Sequence, residues 1–151
     1  MQQRARRSAQ PLGVMDERER NLCTKIRAMR SDEAANWLLE TYKVGETGYG
    51  EAFLLIRHRS WAREDQVRLA RYYLQRIPFA SGQPYEAFAT FMPIRTLVGI
   101  VRELLSNVSK DRIWLLQYYL CPLIKKKART SQDIQAADEL IAELDGRTKA
   151  P

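Results

Sequence analysis

The stretch SWAREDQVRLARYYLQRIP, residues 60–78, decides the fold class of this 151-residue chain. Its apolar side chains recur at the spacing of one helical face, and Ser60 and Pro78 mark the two ends. Nothing around it alternates in the way that a partner strand would. The stretch therefore predicts a helix in an all-α domain. Its apolar positions are Trp61, Val67, Leu69, Tyr72, Tyr73 and Ile77.

Amphipathic patterns before this stretch predict further helices. Ser31 and the two acids after it supply an N-cap oxygen and first-turn carboxylates, which predicts a helix over residues 32–43. The apolar run at residues 52–56 fits a buried strand or a short buried helix, and its helical neighbours favour the helix. An earlier helix is predicted from apolar residues seven, four and three positions apart, namely Met15, Leu22, Ile26 and Met29.

Three prolines set expectations for the second half of the chain. Pro84 fits the first turn of a helix, where its missing N–H is not needed. Pro93 is expected to kink that helix in its middle, and Pro122 to bend a helix over residues 110–128. The whole pattern predicts an all-α fold of six to seven helices packed as antiparallel pairs.

The last predicted helix begins at Thr130 and Asp133, which resemble a capping box with a shorter acid. It is expected to end at about Leu144, with Gly146 just past its C-terminus. The predicted organisation is then a flexible basic arm at residues 1–13, a single helical domain at residues 14–146 and a disordered tail at residues 147–151.

A possible internal repeat lies within this pattern. Residues 65–74 align without gaps on residues 111–120, at an offset of 46 residues. A period of about 40 to 47 residues is typical of stacked helical hairpins of the HEAT or armadillo kind. Chance similarity between two amphipathic helices is nearly as good an explanation. We take from the alignment only that helix pairs stack side by side.

The composition of the chain indicates where the protein is located in the cell and which kinds of partner it has. The formal net charge is +7, and the first thirty residues contribute most of it. No apolar stretch approaches the about 18 to 20 residues of a membrane span, and no secretory signal is apparent. We therefore expect a cytoplasmic protein without a membrane partner. Cys23 and Cys121 lie in amphipathic segments, where buried free thiols are expected.

The residue types needed for catalysis or metal binding are scarce. His58 is the single histidine, and neither cysteine is its neighbour in sequence. A serine or cysteine nucleophile would lack any other imidazole base, and no glycine-rich phosphate loop is present. We expect neither an enzyme nor a cofactor or metal, although carboxylates assembled across helices would leave no motif. The chain is expected to bind a macromolecule.

Residues 60–88 resemble small helical immunity proteins that are encoded beside bacterial contact-dependent inhibition systems and other polymorphic toxins. The resemblance covers 29 of the 151 residues, about a fifth of the chain. It implies a cytoplasmic protein that binds a cognate toxin domain and blocks it. Immunity proteins against nucleases are often acidic, whereas this chain is basic. The resemblance therefore implies a toxin with an acidic docking surface or a mainly apolar contact.

Two sets of residues are candidates for the partner surface. Residues flanking the helix of the opening stretch are predicted to bind a protein partner, because Trp, Tyr and Arg dominate interfaces and loops between helices are exposed. These are Arg57, His58, Arg59, Trp61, Arg63, Gln83 and Tyr85. The alternative is an anion-binding surface for nucleic acid, formed by Arg4, Arg6, Arg7, Lys125, Lys126, Lys127 and Arg129. Trp114 is expected to fill the core, from its spacing to Tyr118 and Cys121.

Overall fold

A computed structural model of the chain describes residues 15–149, so the predicted basic arm lies outside the described residues. Within that range the chain forms nine α-helices, two short 3-10 helices and no strand. The α-helices are α1 (Glu17–Ala28), α2 (Ser31–Thr41), α3 (Glu51–Ile56), α4 (Arg63–Tyr73), α5 (Gln83–Ala89), α6 (Ile94–Leu104), α7 (Ile113–Tyr119), α8 (Cys121–Lys127) and α9 (Ser131–Lys149). The all-α prediction is confirmed.

Helices α7 and α8 form one bent rod. Leu120 between them keeps right-handed helical angles, with φ −93° and ψ −47°. Pro122 lies in the first turn of α8, as predicted for a bend at this proline. Because proline has no N–H to donate, it interrupts the helical hydrogen bonding without ending the rod. Counted this way, eight helices pack together in the described part, close to the predicted six to seven.

Successive helices alternate between two layers. Helices α1, α3, α5 and α8 contact one another in order, and so do α2, α4, α6 and α9. Neighbours within a layer run parallel, since Arg71 near the end of α4 pairs with Glu103 near the end of α6 at 3.0 Å. The two helices of a pair run in opposite directions, as Phe53 near the start of α3 meets Tyr73 at the end of α4. The fold is thus four antiparallel helix pairs stacked side by side, as predicted.

The period of the stack differs from the offset in the sequence. The pairs begin at residues 17, 51, 83 and 113, which are 34, 32 and 30 residues apart. The 46-residue alignment joins α4, the second helix of its pair, to α7, the first helix of its pair. These helices occupy different layers, so the similarity reflects two amphipathic patterns rather than equivalent places in the array.

Aromatic rings fill the centre of the core. Phe53 of α3 meets Tyr73, Phe79 and Phe88 edge to face, with centroids 5.8 to 6.4 Å apart. Tyr73 and Phe88 are fully buried. Such ring pairs add about 0.5–1.5 kcal/mol each beyond the burial of their area. This cluster ties the second helix pair to the third.

Ser31 has a different role from the predicted one. The N-cap of α2 is Arg30, and Ser31 is the first residue of the helix. Its hydroxyl donates to the Asp65 carboxylate at 2.6 Å and accepts the Ala62 N–H at 2.9 Å. A serine oxygen thus serves the start of α4 rather than the start of its own helix. The predicted N-cap was wrong because a distant segment competes for the hydroxyl.

The sequence predicted that Pro93 kinks a helix in its middle, and this prediction was wrong. Pro93 is the N-cap of α6 and follows the end of α5, so two separate helices replace the predicted kinked one. Proline removes an N–H and clashes with the preceding turn, which ends a helix unless packing compensates. Pro84, by contrast, lies in the first turn of α5 as predicted.

The last helix is longer than predicted. Asp133 donates its N–H to the Thr130 hydroxyl at 3.1 Å, which is one half of the predicted capping box. The Asp133 carboxylate accepts from Arg95 of α6 and not from Thr130. Helix α9 continues through Gly146 to Lys149, where a disordered tail was predicted. Arg147 pairs with Glu143 at 3.1 Å, one turn back across that glycine, which supports the extra turn. Residues 150 and 151 lie outside the described range.

Candidate functional site

The predicted partner residues at the start of α4 include two that hold the fold together. Trp61 is 5% exposed, and its Nε1 donates to the Ile56 carbonyl at 2.8 Å. The Arg59 guanidinium stacks on the Trp61 ring at 4.7 Å and donates to the carbonyls of Ile26 and Met29. Both side chains were predicted to lie at the partner surface. For buried Trp61 the prediction is wrong, whereas Arg59 is half-buried and keeps part of its side chain accessible. Both satisfy backbone carbonyls.

Tyr85 was also wrong as a partner residue, because it is fully buried. Its hydroxyl accepts the Phe79 N–H at 3.2 Å, and burial raises the pKa of Tyr85 to about 12. Gln83 remains exposed at the first position of α5. It begins the helix that follows α4, whereas Arg63 begins α4 itself. The two residues therefore belong to different helices, separated by the connection at residues 74–82.

Arg57 and His58 are half-buried, and Arg63 is exposed. Burial first, and then the charges of Arg57 and Arg27, lower the pKa of His58. A lowered pKa leaves the imidazole neutral near pH 7. Of the seven predicted partner residues, these three, Gln83 and half-buried Arg59 remain accessible. Four of the five lie at the junction before α4, and Gln83 lies at the start of α5.

The exposed aromatic side chains lie elsewhere. Trp114 is 57% exposed and Tyr118 is 68% exposed, so the expectation that Trp114 fills the core was wrong. In the described part, the other large apolar side chain with comparable exposure is Ile134, at 45%. All three belong to the last helix pair, which consists of the bent rod α7–α8 and α9. This pair is the candidate functional site.

Trp114 lies beside the buried stripe of the rod and not on it. Four of the buried residues of the rod are three, four and four positions apart, namely Ile113, Leu116, Leu120 and Ile124. Trp114 follows Ile113 directly and therefore points about 100° away from that stripe. Tyr118, four positions from Trp114, is exposed like it, whereas Cys121 is buried, so the spacing of these three residues does not mark a core face.

The outward stripe of the rod consists of Trp114, Tyr118, Pro122 and Lys125. These residues are four, four and three positions apart, and all four are exposed. Because Leu120 keeps helical angles, the spacing continues along one side of the rod through the bend. The stripe extends about 16 Å along the rod. Two aromatic rings thus lead along one face into a lysine.

Basic side chains flank the stripe at both ends. Lys125, Lys126 and Lys127 form the last turn of α8, as predicted, and Arg129 follows, all of them exposed. Lys110 and Arg112 lie in the 3-10 helix before α7. Among residues 15–149, ion pairs form at seven arginines and at none of these six cations. Arg4, Arg6 and Arg7 of the alternative anion-binding set lie outside the described residues.

The side chains that commonly bind metal ions do not cluster in the described part of the chain. Within residues 15–149, no three His, Cys, Asp or Glu side chains come close enough to hold a metal ion. Cys23 and Cys121 are buried free thiols, as expected. Burial raises the pKa of Cys121 to about 11, which keeps the thiol protonated and unreactive at neutral pH.

Comparison with protein-family models, curated proteins and solved structures finds no match to this chain. In the described part of the chain, no helix is long and apolar enough to cross a membrane.

Proposed function

We propose that this chain is a non-catalytic binding protein that engages a protein partner through the outward stripe of its last helix pair. The observation that carries the proposal is the exposure of Trp114 and Tyr118 on adjacent turns. Two large aromatic rings that remain exposed do not contribute their burial to the stability of the fold. Trp and Tyr are also the side chains that most often dominate the binding energy of protein interfaces. Most of the other large aromatic rings pack against the core.

The partner class that we propose is a bacterial toxin domain, which the chain would bind and neutralise in the cytoplasm as an immunity protein. Support comes from the resemblance of residues 60–88 to helical immunity proteins. A compact helical body with a dedicated contact surface suits that task, because inhibition needs only affinity and coverage of the toxin. Buried Trp61 and Tyr85 move the proposed contact away from that segment and onto α7–α8.

The test is a neutralisation experiment. The proposal predicts a toxin domain encoded beside the gene for this chain. That domain is expressed in a sensitive strain, with the wild-type chain or with the double variant Trp114→Ala/Tyr118→Ala. The wild-type chain should restore growth, and the double variant should fail although it remains folded by circular dichroism. A matched control, Arg63→Ala/Gln83→Ala, alters exposed residues of the first-predicted segment and should restore growth fully. Growth restored by all three chains would contradict the proposed surface.

A second candidate function is nucleic-acid binding. Its specific support is that two exposed aromatic rings lie beside Lys125, Lys126 and Lys127, and bases stack on such rings while cations contact phosphates. It predicts a gel shift with single-stranded or duplex nucleic acid that weakens steeply with added salt. The protein partner is favoured because the rings lie along the outer side of a helix rather than in a strand-binding groove.

A further inference from the structure

The two ends of the helix array differ in the character of their exposed residues. On α1, every exposed residue is polar or charged except Ala28, and on α2 all of them are. Trp37 of α2 is half-buried, and the ammonium of Lys25 lies over its ring at 4.8 Å. The first pair is thus a polar end, as the terminal unit of a stacked array requires for solubility.

The last pair exposes large apolar side chains, which the first pair does not. Helix α9 packs against α6 and against the rod α7–α8, with a smaller contact to the 3-10 helix before α7, and no further helix pair follows it among residues 15–149. Gln117 of α7 donates to Asp145 of α9 at 2.8 Å, which ties the two members of the pair together. Exposed apolar side chains remain on both members, namely Trp114, Tyr118 and Ile134. The array is open at this end.

The rod at this open end is positively charged, mainly near the C-terminal end of α8. Residues 110–129 contain six basic side chains and one carboxylate, Asp111, a net charge of +5. Four of the six cations follow the apolar stripe at the C-terminal end of α8, and no ion pair within the described residues neutralises them. A partner that covered only the aromatic rings would leave this concentrated positive charge next to a desolvated surface. Carboxylates placed beside the lysines would complement it.

Building on the proposed function, we infer that the open end receives an amphipathic helix of the partner, whose apolar face covers Trp114 and Tyr118 and whose acidic residues lie opposite Lys125, Lys126 and Lys127. A helix is the element that each pair of this array already packs against on its covered side. Anchors at i, i+4 and i+8 match the spacing by which one helix meets another. The partner is thus defined by its chemistry as an acidic, helical protein segment.

The test uses two synthetic 18-residue amphipathic peptides with the same leucine stripe. One carries four glutamates at one end, and the other carries glutamines there. Binding to the full chain is measured by calorimetry and by peptide anisotropy at low and high salt. We expect the glutamate peptide to bind at least about tenfold more tightly at low salt, and the difference to shrink as salt screens the charges.

Charge-reversed chains complete the test. Lys125→Glu/Lys126→Glu should abolish the preference for the glutamate peptide. Lys43→Glu/Arg63→Glu makes the same change in net charge at exposed residues outside the last pair and should keep the preference. Trp114→Ala should weaken both peptides alike.

Three results would overturn the inference: equal or absent binding of both peptides, tighter binding of a twelve-residue deoxythymidine oligonucleotide, or self-association that Trp114→Ala removes. Each leaves the proposed function separately testable, because neutralisation of a toxin through Trp114 does not require an acidic helix.

Discussion

Arg59 closes the C-terminal end of α1 by donating from Nη1 to the Ile26 carbonyl at 2.7 Å. The same nitrogen reaches the Met29 carbonyl at 2.9 Å. The last carbonyls of a helix have no partner within the helix, and a guanidinium both satisfies them and complements the helix dipole. An arginine 33 residues away in sequence therefore completes the first helix and fixes it against the junction before α4.

We expect Arg59→Ala to lower the free energy of unfolding by about 1.5–3 kcal/mol, because charge-assisted hydrogen bonds to carbonyls are lost and the packing on Trp61 is removed. Urea denaturation followed by circular dichroism measures this. Arg63→Ala, at an exposed residue four positions on, should change it by less than about 0.5 kcal/mol. Equal effects of the two substitutions would contradict the assigned role of Arg59.

Substitutions of Trp114 and Trp61 should differ in their effect on stability. We expect Trp114→Ala to change the free energy of unfolding by less than about 1 kcal/mol, because most of its side chain is exposed. Trp61→Ala should cost about 3–5 kcal/mol, since it empties a buried site and leaves the Ile56 carbonyl without its donor. Thermal denaturation of both variants decides the matter. A loss of several kcal/mol in the free energy of unfolding of Trp114→Ala would show that Trp114 is part of the core.

Ser31 and Asp65 should be energetically coupled. The Ser31 hydroxyl bridges the Asp65 carboxylate and the Ala62 N–H, and so joins the starts of α2 and α4. We expect a double-mutant cycle of Ser31→Ala and Asp65→Asn to give a coupling energy of about 1–2 kcal/mol. The pair Thr24→Ala and Asp65→Asn, in which Thr24 bonds only within α1, serves as the uncoupled control. Additive effects of the first pair would show that Ser31 and Asp65 are not energetically coupled.

Stability should fall as Glu51 becomes protonated. The hydrogen bond from Arg18 is the main cause that lowers the pKa of Glu51, with a smaller contribution from the Tyr42 hydroxyl and with burial opposing both. A pKa lower in the folded than in the unfolded state gives stability above the unfolded pKa, and protonation removes it as the pH falls. We expect the advantage of wild type over Glu51→Gln to shrink between about pH 6 and pH 3. Urea titrations across that range measure it, and a constant difference would contradict the ion pair.

The fold class could be predicted because local patterns carry it. Ser60 and Pro78 bracket one helix, Pro84 lies in a first turn, and residues 52–56 form a short helix, all within a few positions of the expected places. Helix caps, proline positions and apolar spacing are local signals that depend on residues within one or two turns. They can therefore be predicted directly from the sequence. Antiparallel pairing follows, since short connections leave few other arrangements.

The sequence by itself thus determined the helices, their pairing, the buried thiols and the basic last turn of α8. Only the tertiary structure decided which residues those helices leave exposed. Arg59, Trp61 and Tyr85 have the residue types of a binding surface, yet each satisfies a backbone group. Arg59 reaches a carbonyl 33 residues away, and Trp61 and Tyr85 bond to groups five and six residues away while other helices bury their rings. Trp114 has the residue type of a core, yet it follows the buried stripe by one position and belongs to the last pair, with no further helix beside it in the described chain. Exposure depends on which distant segments pack against a face, and local spacing does not encode that.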